Sequence, residues 1–222
     1  GSMSCGELLE HGDTGLGTFD DLDGEMVVID GRVYRCRIDG RAYAVRPATE
    51  IPFAMVTFLE GDRKVSLKTG APGYERLKEG LDTLLPNKNI LYAIRIDGDF
   101  EHVKARSVPA QKRPFRKLVD VIEKDAEVFE FADVRGSLVG FWLPAWMEGI
   151  SVPGYHFHFI SQDRTRGGHV LDCRLRSAEV QVDFSEQFRL VLPRTEVFEK
   201  TNLSEKQPAD ALEKVEKQPG DN

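Results

Sequence analysis

Met26-Val27-Val28-Ile29-Asp30-Gly31-Arg32-Val33-Tyr34-Arg35-Cys36-Arg37-Ile38-Asp39-Gly40-Arg41-Ala42-Tyr43-Ala44-Val45 is three short runs rich in β-branched and aromatic residues, parted by two Asp-Gly pairs. Asp-Gly is a strong hairpin signal because both residues tolerate the positive φ that a tight turn requires. The stretch therefore reads as consecutive hairpin strands. Working outward, Phe53 to Leu59 and Ile90 to Ile96 read as more deeply buried strands, the second followed by a third Asp-Gly turn at Asp97-Gly98. Two helices interrupt the strands. Tyr74 to Leu85 sets Leu77, Leu81, Leu84 and Leu85 on one face and is ended by Pro86; Phe115 to Asp125 groups Leu118, Val119 and Ile122.

Phe19 to Ile29 aligns without gaps on Phe131 to Phe141, with Phe, Asp and Gly coinciding and apolar residues matched between them. The expectation is a duplicated unit: an α+β, strand-rich fold of two similar mixed β-sheet subdomains, each with a helix. The halves would span residues 4–108 and 115–203, joined through the segment containing Pro109 and Pro114. Residues 204–222 would form a charged C-terminal helix, centred on Asp210 to Lys217, and a frayed tail.

The 222 residues suffice for a substantial core. A net charge of -7 disfavours a nucleic-acid partner. No apolar run approaches the roughly 20 residues of a membrane helix, and Gly1-Ser2-Met3 reads as a cloning remnant. Cys5, Cys36 and Cys173 are an odd number of widely spaced thiols without a CxxC, which argues against disulfides or a cysteine metal site and for a reduced, cytoplasmic setting.

Three of the five histidines lie within fourteen residues, in Gly154-Tyr155-His156-Phe157-His158-Phe159-Ile160 and Gly167-Gly168-His169. The alternation is that of a strand, so His156 and His158 leave one face and Tyr155, Phe157 and Phe159 the other. The polar loop from Ser161 to Gly168 can return the chain so that His169 meets the first two. Three imidazoles on a β-hairpin make a metal site with an open coordination position, and open coordination implies chemistry. Zinc is the default, although iron, nickel, copper and cobalt also accept imidazole. His11 and His102 read as surface residues.

Gly15-Leu16-Gly17-Thr18-Phe19, Leu22-Asp23-Gly24-Glu25, Leu91 to Gly98, Gly136 to Phe141 and the histidine segment resemble, in this order, the α-acetolactate decarboxylases. The likeness runs from about His11 to Leu192. It implies a homodimeric enzyme that converts the small molecule 2-acetolactate into acetoin and carbon dioxide with a Zn2+ cofactor. His156, His158 and His169 would be the zinc ligands, Glu25 the acidic residue beside the metal, Arg106 the cation facing the substrate and Thr18 a pocket residue. A C-terminal carboxylate would come from Glu216, or else Glu213. Either Glu25 or Glu216 would donate the proton. Members of the family generally carry more residues ahead of the GLGTF motif, and on its own terms Glu213 to Lys217 is a salt-bridged helix face.

Two other readings compete. Gly-x-His-x-His followed by Gly-Gly-His also resembles the plant and prokaryote conserved domain of AT-hook proteins, a metal-binding, DNA-associated interaction module; here no Arg-Gly-Arg-Pro hook is present. A cupin-like oxygenase would place a glutamate shortly after the second histidine, where this chain has Ser161, Gln162 and Asp163.

Overall fold

Asp30 and Gly31 take left-handed φ of 52° and 68° between Ile29 and Arg32, which pair directly. This is the two-residue hairpin loop that the Asp-Gly pair signals. The computed structural model describes residues 3–68, 72–112 and 114–202. In chain order the strands are β1 (Met3–Ser4), β2 (Thr14–Thr18), β3 (Glu25–Ile29), β4 (Arg32–Cys36), β5 (Ala42–Ala44), β6 (Glu50–Ile51), β7 (Phe53–Thr57), β8 (Arg63–Lys68), β9 (Leu91–Ser107), β10 (Glu127–Leu143), β11 (Gly154–Ser161) and β12 (Gly167–Ser185). The α-helices are α1 (Cys5–Leu9), α2 (Tyr74–Asp82), α3 (Leu118–Asp125) and α4 (Glu196–Lys200).

The first large sheet has the order β5-β4-β3-β2-β7, and the second β11-β10-β9-β12-β8. In the second, β11 also pairs with β12, so β9, β10, β11 and β12 close into a ring. β1 and β6 form a small ribbon. The strand-rich α+β class holds, but the expected mixed sheets do not: every ladder among the described strands is antiparallel. Neighbours such as β3 and β4 are joined by tight turns, which only antiparallel strands permit. The two expected halves also share the second sheet, because β8 and β9 come from residues before 108 while β9 lies between β10 and β12.

Other expectations are corrected by tertiary context. Asp97-Gly98 is no turn; it lies inside β9, paired with Ser137 and Gly136 on one side and with Glu179 and Ala178 on the other. Phe53 to Thr57 is a half-exposed edge strand rather than a buried one. Helix α3 starts at Leu118, with Phe115 and Leu118 exposed, and buries Val121 and Ile122 against Val108. The aligned segments differ in backbone: after Phe19 comes a 3-10 turn before β3, whereas Phe131 to Phe141 runs unbroken along β10. The predicted helix over Asp210–Lys217 lies outside the described residues.

The largest apolar cluster fills the second sheet's interior, with Tyr92, Ile94, Phe100, Phe157 and Phe159 meeting Leu77 and Leu81 of α2. In the first sheet β3 is buried on both faces. Met26 and Val28 pack towards α1, and Val27 and Ile29, with Tyr34 and Cys36, pack on Val139 and Ile160 of the second sheet. That apolar face aligns the two sheets and sets the edge at which the histidines emerge. All three cysteines are free and buried. No helix among the described residues is long and apolar enough to cross a membrane.

Candidate metal centre

Ladder register gathers the histidines. His158 lies opposite His169 across β11 and β12, and His169 lies opposite Arg106 across β12 and β9. Directly opposed residues share a sheet face, and His156, two residues before His158, shares it too. Four side chains therefore leave one face of three adjacent strands. The first sheet presents a matching row: Thr18, Glu25 and Cys36 are opposed across β2, β3 and β4.

The rows meet closely. His156 Nε2 lies 3.2 Å from His158 Nε2 and 3.2 Å from His169 Nδ1, and the three possible ligand atoms fall within 4.8 Å of one another. Tetrahedral nitrogens about 2.0–2.1 Å from a zinc ion would be spaced by about 3.3 Å. His158 Nδ1 donates to the Met26 carbonyl at 2.7 Å, which leaves Nε2 with its lone pair aimed at the other two rings. Burial, then the positive charge of Arg106, pushes the His156 pKa down to about 3. Burial chiefly also holds His158 and His169 well below their ordinary value. All three rings are thus neutral at physiological pH, as ligands must be. His158 and His169 are buried and His156 is partly buried.

Glu25 begins β3 and is buried; its Oε2 lies 3.5 Å from His158 Nε2. Arg106 is 2% exposed, which makes a purely solvated role untenable. Thr18 sits opposite Glu25, and its Oγ1 donates to the Gly24 carbonyl at 2.9 Å, so the hydroxyl helps shape the turn before Glu25. Cys36 forms part of the wall beside Gly167; burial first, then the Glu25 charge, raises its thiol well above the usual range. The residues suit a metal held by three nitrogens with a carboxylate alongside. Glu216 and Glu213 lie outside the described residues. Two neighbours of the candidate residues escaped the sequence reading. The Met26 carbonyl leaves no side-chain signal, and Asp23, quoted within Leu22-Asp23-Gly24-Glu25, carried no assigned role.

Over residues 1–205 the chain matches the family described as Alpha-acetolactate decarboxylase. It is 43% identical over 217 residues to the Alpha-acetolactate decarboxylase of Methanosarcina mazei, covering 98% of this chain and 74% of that relative. It is 39% identical to that of Bacillus licheniformis, covering 99% and 86% of the two chains. The crystal structure of alpha-acetolactate decarboxylase from Bacillus subtilis strain 168 superposes with a TM-score of 0.94 at 38% identity, covering 98% of this chain and 92% of that one. Such coverage spans both sheets, beyond the reach of a short interaction module or a local histidine motif. The chain belongs to the α-acetolactate decarboxylase family of carboxy-lyases.

Proposed function

We propose that the chain decarboxylates 2-acetolactate to acetoin at the three-histidine centre, with His156, His158 and His169 holding a zinc ion. The observation that carries this reading is the convergence of three neutral ring nitrogens, His156 Nε2 lying 3.2 Å from a nitrogen of each of the other two, with the Glu25 carboxylate beside them. The substrate bears a hydroxyl and a carboxylate on one carbon and a ketone on the next. Breaking the bond to the carboxylate releases carbon dioxide and sends the bond's electron pair into the ketone, giving an enediolate that one proton converts into acetoin. Zinc, when bound, supplies a Lewis acid that stabilises the developing oxyanion.

The protein's own groups divide the remaining work. Arg106, fixed opposite His169, orients the substrate carboxylate so that the breaking bond aligns with the carbonyl π system. Glu25 delivers the proton to one face, help worth about 10²–10⁴-fold. Glu216 is the alternative donor, with Glu213 behind it, and Thr18 borders the substrate pocket. Buried walls on both sheets keep competing water away. A homodimer in the cytoplasm, suggested by the family likeness and the reduced thiols, completes the reading; sedimentation tests the first part.

The test is acetoin production from racemic acetolactate, before and after metal removal by a chelator, with His156→Ala in parallel. Acetoin that vanishes on chelation, returns with zinc and is absent in the variant is the expected result. Undiminished acetoin from metal-free protein would sink the zinc role.

A further inference from the structure

Asp21-Leu22-Asp23-Gly24 leads into Glu25 through a turn the chain would not choose by itself. Asp21, Leu22 and Gly24 have φ of 60°, 59° and 89°, and for leucine the left-handed region is disfavoured by the side chain. Gly24 is required twice over, because a Cβ there would also lie 2.5 Å from the Cys36 carbonyl oxygen. Neighbours pin the turn residue by residue. Gln111 N donates to the Asp21 carbonyl at 2.6 Å, and Leu22 packs on Val108, Val121 and Ile122. Gly24 N donates to the carbonyls of Leu22 at 2.8 Å and Val108 at 3.2 Å.

The Asp23 carboxylate is the charged pin. Arg35 donates to its Oδ2 at 2.7 Å and Arg37 at 2.6 Å, while Arg37 Nε reaches Oδ1 at 3.4 Å. The Asp23 side chain is 17% exposed, and Arg35 lies 4.1 Å over the Phe19 ring. Both arginines flank Cys36, the residue opposite Glu25 in the ladder. Asp23 thus ties the turn to the strand against which Glu25 is registered. Arg35 itself pairs opposite Met26, on the face away from the histidines, so its ion pair with Asp23 bears on the site through the backbone of the turn.

We propose that Asp23 is a positioning residue for the reaction: its double ion pair with Arg35 and Arg37 fixes where the Glu25 carboxylate stands relative to the histidine nitrogens. This rests on the reading of Glu25 as the residue that acts on the substrate. A donor displaced by about 1 Å can lose on the order of 10² in rate. Asp23→Asn keeps the shape and removes the charge. In metal-loaded enzyme it should lower kcat by roughly 10- to 100-fold, leave KM within about threefold and leave bound metal unchanged.

The decisive measurement is a kinetic cycle with Glu25→Gln. If Asp23 acts through Glu25, adding Asp23→Asn to Glu25→Gln costs nothing further. Arg37→Gln, which removes the more exposed guanidinium, should give a smaller loss of the same kind that Arg37→Lys partly recovers; this pair decides the matter should Asp23→Asn not fold. An Asp23→Asn enzyme with wild-type kcat, a change confined to KM, or an equal loss on the Glu25→Gln background each overturns the proposal. A fully active Glu25→Gln enzyme overturns it too, but by removing the role of Glu25, which separates that failure from a failure of Asp23 alone.

Discussion

The two sheets that meet at the centre hold their functional groups by different means. The second sheet offers His158, His169 and Arg106 from the middle or ends of strands up to 19 residues long, each opposite the next in a ladder. The first sheet offers Glu25 from the first position of a five-residue strand, directly after a turn with three left-handed residues. Side chains on paired strands are placed by register, and a one-residue slip would reverse their faces. A group at the mouth of a turn is placed by whatever pins the turn. The metal side is therefore expected to fail all at once when a ligand is lost, and the acid side to fail by degrees.

The largest effect tests the ladder side. His158→Ala removes a proposed ligand and also the hydrogen bond to the Met26 carbonyl by which the first sheet fixes that ring's tautomer. Acetoin formation should fall by more than the roughly 10- to 100-fold usual for losing a partner behind a ligand, and bound metal measured after dialysis should be lost with it. A variant that kept its metal would break the comparison. Next comes Arg106→Met, which preserves bulk and deletes a buried charge. Removing one preorganised charge from a site typically costs about 10²–10³ in rate, and taking one member out of a buried ionic contact also costs stability. Thus kcat/KM should fall in the folded variant, and the unfolding temperature should fall with it. A lower unfolding temperature with unchanged kcat/KM would make Arg106 a structural residue.

This division also explains what was legible in the sequence. Alternation over Tyr155 to Ile160 is a local signal with period two, so the shared face of His156 and His158 could be read directly, and the glycine-ended loop announced the return to His169. The Asp-Gly pairs show the limit. At 30–31 the pair turns, at 97–98 the same dipeptide is spliced into a strand by partners on both sides, Ser137 donating to Asp97 at 2.6 Å. A dipeptide cannot report neighbours forty residues away. The same ignorance made β7 look buried and hid the ring that joins β9 to β12. Glu25 and Arg106 were found by family resemblance alone, since an isolated glutamate after Asp-Gly carries no chemistry of its own.

A smaller effect separates the sheets by pH. In metal-free protein the three ring pKa values lie below the ordinary 6.5 because burial opposes charging. Below about pH 6.5 the unfolded chain takes up protons that the folded chain refuses, so stability falls as pH falls, by at most about 1.4 kcal/mol per pH unit for each histidine. Urea midpoints of chelated protein at pH 7.5, 6.5 and 5.5 should decline in that order, and adding His156→Ala and His169→Ala should flatten the slope. The first sheet supplies no histidine to this row, so a slope unaffected by those changes would relocate the effect.

The smallest effect asks what holds the two sheets in alignment. Asp30, at the β3–β4 turn, receives Arg95 of the second sheet at 2.6 Å and Arg164 of the histidine loop at 3.0 Å, an apparent latch across the junction. Its side chain is 55% exposed, however, and exposed pairs are typically worth about 0–1 kcal/mol. The buried alternative is the apolar face of Val27, Ile29, Tyr34 and Cys36 on Val139 and Ile160. Asp30→Asn keeps a residue that tolerates the left-handed turn and removes only the charge. It should cost less than about 1 kcal/mol in urea unfolding and change acetoin formation by less than about twofold. A larger kinetic loss at unchanged stability would mean that the latch, rather than the apolar face, sets the distance between Glu25 and the histidines. The acid side would then depend on two charged pins, Asp23 and Asp30, at opposite ends of the same short strand.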